Sequence, residues 1–231
     1  MRQIQAIAAD LRFQYRHGFY FVYAIILGVY IILLRNLPDD FVQPVAILLI
    51  LSDAAVLGFF FIGGILLLER GQGILDALFI TPLRPREYLV AKAVSLSLLA
   101  LLASLAILLG GVGSPYSIMP VIAGVGLTSS LFILFGCILG LKATSVNGYF
   151  AIATTVLFPM FLPLLGFFDI YHSFLWPLVP THSCIVLTSA YFEYIPAAGL
   201  LRALLILVIW NGIFAIIAQR SFSDYLQKRG G

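Results

Sequence analysis

The charged residues of this chain are few enough to weigh one at a time. Of 231 residues, 13 are Lys or Arg and 10 are Asp or Glu. Asp53 stands deep inside the apolar run from Pro44 to Leu68. A carboxylate at that depth is expensive in hydrocarbon, so it faces a partner or a polar path. Arg202, in the apolar run from Pro196 to Ala218, stands at similar depth from the same side. At 1.5 Å per residue the two differ in height by only about 4 Å. Two roles stay open for Asp53: a structural ion pair with Arg202, or a polar point on a substrate path that attracts a cationic group. Asn211, in the same run as Arg202, suits a hydrogen bond between helices. Nothing here is a catalytic constellation. The three lysines follow Ala91, Leu141 and Gln227, so the Gly-Lys-Ser/Thr of a phosphate-binding loop is missing. There is no His-Glu-x-x-His. His172 and His182, near Asp169 and Cys184, match no zinc spacing. Cys137 and Cys184 fit no disulfide framework and read as small apolar residues. The sequence therefore points away from an enzyme and from any cofactor or metal in this chain.

A second set of residues lies in a loop. From Glu69 to Glu87 the chain reads ERGQGILDALFITPLRPRE. Gly71 and Gly73 permit a sharp turn out of the preceding apolar run. Ile74, Leu75, Leu78 and Phe79 fall on one face of a short helix, with Asp76 elsewhere on it. Thr81-Pro82 and Arg84-Pro85 stop that helix. Glu87 and Lys92 then open the next apolar run. A short helix flat on the membrane surface, apolar on one face and charged at its ends, suits docking to a cytoplasmic partner.

The rest of the chain must hold these residues in place. Apolar residues make up 62% of it, charged residues 10%, and its mean hydropathy is +1.09. Soluble domains run nearer half apolar and a quarter charged. A chain this short cannot hide so much apolar surface in one core. That excludes an ordinary soluble enzyme, a disordered chain and a nucleic-acid binder, and leaves an all-helical polytopic membrane protein. Six apolar segments qualify as spans: Gly18 to Leu34, Pro44 to Leu68, Tyr88 to Leu109, Ser117 to Leu141, Gly148 to Phe168 and Pro196 to Ala218. The long polar start and the lack of a small-residue cleavage site argue that the first span is retained.

Orientation follows from the basic residues beside the spans. Arg2, Arg12, Arg16, Arg70, Arg84, Arg86, Lys92, Lys142, Arg220, Lys228 and Arg229 fall on one side if there are six spans. Only Arg35 and Arg202 fall on the other. Both termini are thus expected in the cytoplasm, in the cell membrane. Ile4, Ile7, Ala8, Leu11 and Tyr15 recur at helical spacing, with Arg2, Asp10, Arg12 and Arg16 mostly elsewhere. This predicts an amphipathic helix over residues 1–17 on the cytoplasmic membrane face. Asp169 to Ile195 is apolar and aromatic but broken by Pro177 and Pro180. It reads as an outer re-entrant hairpin, since irregular backbone at membrane depth must be buried in protein. Pro159 and Pro163 predict a kink in the fifth span.

The run from Glu69 to Lys92, E-R-G-x-G-x-L-x-A-L-x-x-T-P-L-x-x-x-E-Y-L-x-x-K, resembles the coupling loop of ABC-2 type transporter permeases. The six spans, the amphipathic start, the proline-broken fifth span and the outer hairpin fit that family over the whole chain, as a single transmembrane domain. Ser52 to Gly64, Leu68 to Gly71 and Arg16-His17-Gly18-Phe19-Tyr20-Phe21 further resemble the subgroup of fluoroquinolone export permeases. The resemblance implies an exporter subunit moving an amphiphilic drug-like or lipid-like molecule by alternating access. Power would come from a separate cytoplasmic ABC ATPase that holds the ATP and Mg, and the permease would pair with a second copy or a related permease. It also implies that Glu69, Arg70, Gly71, Gly73, Leu75, Asp76, Leu78, Phe79, Thr81, Pro82, Glu87 and Lys92 couple to that ATPase. The N-terminal helix and the turn from Lys142 to Asn147 would be secondary contacts. The second and fifth spans would line the substrate path. Two alternatives have similar size and span count: a haem-export permease of cytochrome maturation, and a vitamin-binding subunit of an energy-coupling uptake system.

Overall fold

The computed structural model describes residues 2–77 and 84–230, and all regular structure among them is helical. Helix α1 (Arg2–Arg16) leads into α2 (Phe19–Arg35) through Gly18, whose φ of +74° is open to glycine without strain. The two helices meet at 66°. Helix α3 runs Asp39–Gly71 and contains a π-helical turn over Leu57–Phe61. Gly73, with φ +71°, then turns the chain into the short α4 (Ile74–Ala77). Helix α5 (Pro85–Ile107) ends in a second π-helical turn, Leu108–Val112. Helices α6 (Met119–Lys142), α7 (Val146–Met160), α8 (Leu164–Phe167), α9 (Pro180–Ser189) and α10 (Ala197–Gly230) follow.

Four helices are long and apolar enough to cross a membrane unaided: Asp39–Gly71, Arg86–Val112, Met119–Lys142 and Ala197–Tyr225. They coincide with the expected second, third, fourth and sixth spans. The first and fifth are shorter. Helix α2 has 17 residues, and α7 has 15. The fifth segment is broken rather than kinked: α7 ends at Met160, and Pro163 has no N–H to offer the Pro159 carbonyl four residues back. The carbonyl of Met160, at the helix end, accepts from the Thr181 hydroxyl of α9. Helix α9 is buried along most of its length, with Pro180, Thr181, Cys184, Leu187 and Thr188 all inside. It lies within the expected hairpin segment, Asp169 to Ile195, and starts at Pro180.

Helix α6 is the central post and packs against α3, α5, α9 and α10. Its contact with α3 is close because glycines face it. A Cβ on Gly136 would meet Ile62 Cγ2 at 2.4 Å, and one on Gly140 would meet Leu66 Cδ1 at 3.0 Å. Tyr149 of α7 fills the remaining notch, with its ring against Gly63 and its hydroxyl donating to the carbonyl of Phe59. That carbonyl belongs to the π-helical turn, where the helix leaves backbone groups free for such a partner. The sequence pattern of apolar residues on α3, α6 and α7 thus becomes one tightly packed layer.

Candidate functional site

Two charged residues of the expected coupling segment, Glu69 and Lys92, meet inside the protein. The Lys92 ammonium of α5 lies 2.6 Å from Glu69 Oε1 of α3 and 2.7 Å from Asp10 Oδ1 of α1. Tyr88, one turn before Lys92, donates its hydroxyl to the other Glu69 oxygen. Lys92 is 3% exposed and Glu69 7%. The Tyr88 ring stacks on Phe222 of α10, with centroids 5.0 Å apart. Four helices are therefore tied at one point. Burial raises the Asp10 pKa, more than the attraction of Lys92 lowers it.

This arrangement reverses part of the expected α1 wheel. Asp10 turns inward with Gln14, which is 2% exposed, while Ile4 and Tyr15 stay 71% and 77% exposed. An acid on an amphipathic helix is normally solvated. Here it has a buried lysine to meet, and that attraction decides the face. Ile4, Ala8 and Tyr15 still share one exposed, largely apolar stripe suited to the lipid surface.

Arg70, next to Glu69, points elsewhere. It donates to the carbonyls of Gly140, Leu141 and Ala143 at 3.1, 2.8 and 2.6 Å. These are the unpaired carbonyls at the end of α6, which a cation stabilises. Its guanidinium also lies 5.0 Å from the centroid of the Tyr225 ring. Glu87 accepts from the Arg84 backbone N–H at 2.8 Å and so closes the start of α5. Leu75 is fully buried. The side chains of Glu69, Lys92 and Leu75 thus face the interior and not the surface. Gly71 and Gln72 are exposed, and Asp76 belongs to α4. Leu78, Phe79, Thr81 and Pro82 lie outside the described residues.

Asp53 is 7% exposed and accepts from the Tyr23 hydroxyl of α2 at 3.2 Å. Its other oxygen has no hydrogen-bond partner among the described residues. Of the two roles left open for Asp53, the pairing with Arg202 does not form among the described residues: Arg202 is exposed, while Ala203 and Leu207 carry the inward face of α10. Equal depth fixed the height of the two residues but not their angle around the bundle. Asn211 donates to Leu127 of α6 and to Leu207 of its own helix, both at 2.9 Å, and so joins α10 to α6. His172 lies 3.3 Å from Asp169 in an exposed pair, and no metal-ligand cluster occurs among the described residues.

Between the α1–α2 elbow, α3 and α7 lies a hollow of about 290 Å³. Phe13, His17, Phe19, Phe60, Phe61 and Phe150 surround it. Such a wall suits a flat aromatic molecule with an apolar body.

Sequence reasoning missed Asp10, Tyr88 and Tyr23 as partners. A signal did exist for Asp10. It is the one acid within α1, and Glu69 and Lys92 sit at matching ends of neighbouring apolar runs.

The chain as a whole is similar to known proteins. The profile of the Fluoroquinolones export permease protein family matches residues 1–230. The fluoroquinolones export permease proteins of two Mycobacterium tuberculosis strains, H37Rv and CDC 1551 / Oshkosh, are each 31% identical over 204 residues, covering 85% of this chain and 84% of the relative.

Proposed function

Because the chain belongs to the Fluoroquinolones export permease protein family, we propose that it is the membrane-spanning permease subunit of an ATP-driven ABC-2 type exporter. It sits in the cell membrane with six spans and both termini in the cytoplasm. It pairs with a second permease, and a separate ABC ATPase supplies ATP and Mg. Its cargo is an amphiphilic, aromatic, drug-like molecule, moved by alternating access from the cytoplasm or inner leaflet. Family membership separates this reading from the haem-export and vitamin-uptake alternatives.

The observation that carries the proposal is the buried Asp10–Lys92–Glu69–Tyr88 cluster. It joins α1, α3 and α5 directly beside the segment expected to receive the ATPase. A push on that segment then moves three helices as a unit rather than bending one. Lys92 and Glu69 act as positioning residues that transmit force, and the exposed turn at Gly71 to Ile74 with the apolar Leu78 and Phe79 makes the contact. The hollow of about 290 Å³ is bounded by two of the helices so linked, α1 and α3. Asp53 and Tyr23 form a polar point further along α3 and α2.

The test is ATP hydrolysis by the partner ATPase copurified with this chain in lipid. A Leu78→Glu change places a charge on the apolar docking face. It is expected to release the ATPase or to abolish cargo-stimulated hydrolysis while leaving the permease folded. Unchanged binding and turnover would refute the coupling role.

A further inference from the structure

We propose that a crevice between the cytoplasmic ends of α5 and α10 holds one anionic phospholipid of the inner leaflet. The crevice has two connected parts. Its mouth, about 430 Å³, is lined by Arg84, Arg86, Arg220 and Asp224. It continues into a groove of about 350 Å³ walled by Val90, Val94, Leu134 and Ala215. Arg86 and Gln219 line both parts, so one elongated ligand can occupy them together.

Charge and shape choose the occupant. Three guanidinium groups face a single carboxylate at the mouth. All three arginines are exposed, and none is in an ion pair among the described residues. Arginine forks fit phosphate oxygens, and basic pockets between membrane helices on the cytoplasmic side take acidic headgroups. A free phosphate would fill only the mouth. The groove is apolar, and Val90 and Val94 are 42% and 38% exposed along it. An acyl chain would cover them. Helix α5 also carries Lys92 and Tyr88, so a lipid seated here would brace the helix that bears the buried charge cluster. The inference uses the cytoplasmic placement proposed above but not the ATPase or the cargo, so loss of ATPase docking would leave it standing.

The test is lipid binding to the full chain in neutral detergent, read by native mass spectrometry. The probes are dioleoyl phosphatidylglycerol, dioleoyl phosphatidylcholine and inorganic phosphate. Phosphatidylglycerol is expected to bind one per chain, ahead of phosphatidylcholine. Neutralising the arginines should weaken it about fivefold each, and R84Q/R86Q/R220Q together on the order of a hundredfold. A separate Val90→Trp variant keeps all three arginines and fills the groove, and it should also weaken phosphatidylglycerol binding. Equal binding of the two lipids, or full binding by both variants, would overturn the site. Displacement of the lipid by millimolar phosphate would reduce it to a free-anion site and overturn the acyl-chain assignment.

Discussion

Replacing Lys92 with methionine is expected to destabilise the protein by about 3–5 kcal/mol, the usual result of removing one partner from a buried ion pair. Asp10 and Glu69 would be left facing each other without a cation, in a site where Lys92 and Glu69 are 3% and 7% exposed. A combined Asp10→Asn, Glu69→Gln, Lys92→Met variant removes all three charges. It should regain much of that loss, because the desolvation penalty goes with the charges. Thermal unfolding of the three-fold variant against Lys92→Met checks the sign. The two variants are also expected to part in function. The three-fold variant should be folded and bound to the ATPase but poorly coupled, with hydrolysis no longer answering to cargo. A Lys92→Met protein as stable as wild type would mean that the cluster is solvated and carries no load.

The second large effect concerns two adjacent glycines. A Cβ on Gly63 would lie 2.1 Å from two Tyr149 ring atoms, while a Cβ on Gly64 meets nothing within 4 Å. Tyr149 cannot step aside easily. It is 1% exposed, and its hydroxyl holds the Phe59 carbonyl in the π-helical turn. Gly63→Ala should therefore cost about 3 kcal/mol through overpacking and loss of that bond. Gly64→Ala should be neutral, or stabilising by up to about 1 kcal/mol from helix propensity. Paired unfolding curves decide the matter. Equal effects at the two positions would mean that the Tyr149 notch is soft. Gly64 also borders the aromatic hollow, so its variant separates stability from any change in cargo response.

Much of the fold was legible because lipid imposes a simple length rule. Four helices are long apolar runs that the sequence places closely, except that α10 continues to Gly230, past the expected end at Ala218. The fifth segment was misjudged because apolarity does not reveal a break. Pro163 cannot continue the helix, and the Met160 carbonyl left at its end accepts from Thr181 of another helix. The site was legible by element but not by azimuth. Glu69, Arg70 and Lys92 were singled out as coupling residues, yet they bond inward, to Asp10, Tyr88 and the end of α6. Depth along a helix can be counted from sequence, while rotation around it depends on neighbours that only the fold supplies. The same gap explains Asp53, which meets Tyr23 and not Arg202. Asn211 needed no such knowledge, because an amide in an apolar span must bond to a neighbouring helix or to its own.

The central claim is that this chain moves an aromatic amphiphile when a separate ATPase turns over. The direct measurement uses the permease and its ATPase in sealed vesicles with the nucleotide side outward and a fluorescent fluoroquinolone in the bath. Accumulation inside the vesicles that requires hydrolysable ATP, and that is lost in the Asp10→Asn, Glu69→Gln, Lys92→Met variant while the ATPase stays bound, is the predicted result. Accumulation that proceeds equally without ATP, or that survives intact in that variant, would contradict it.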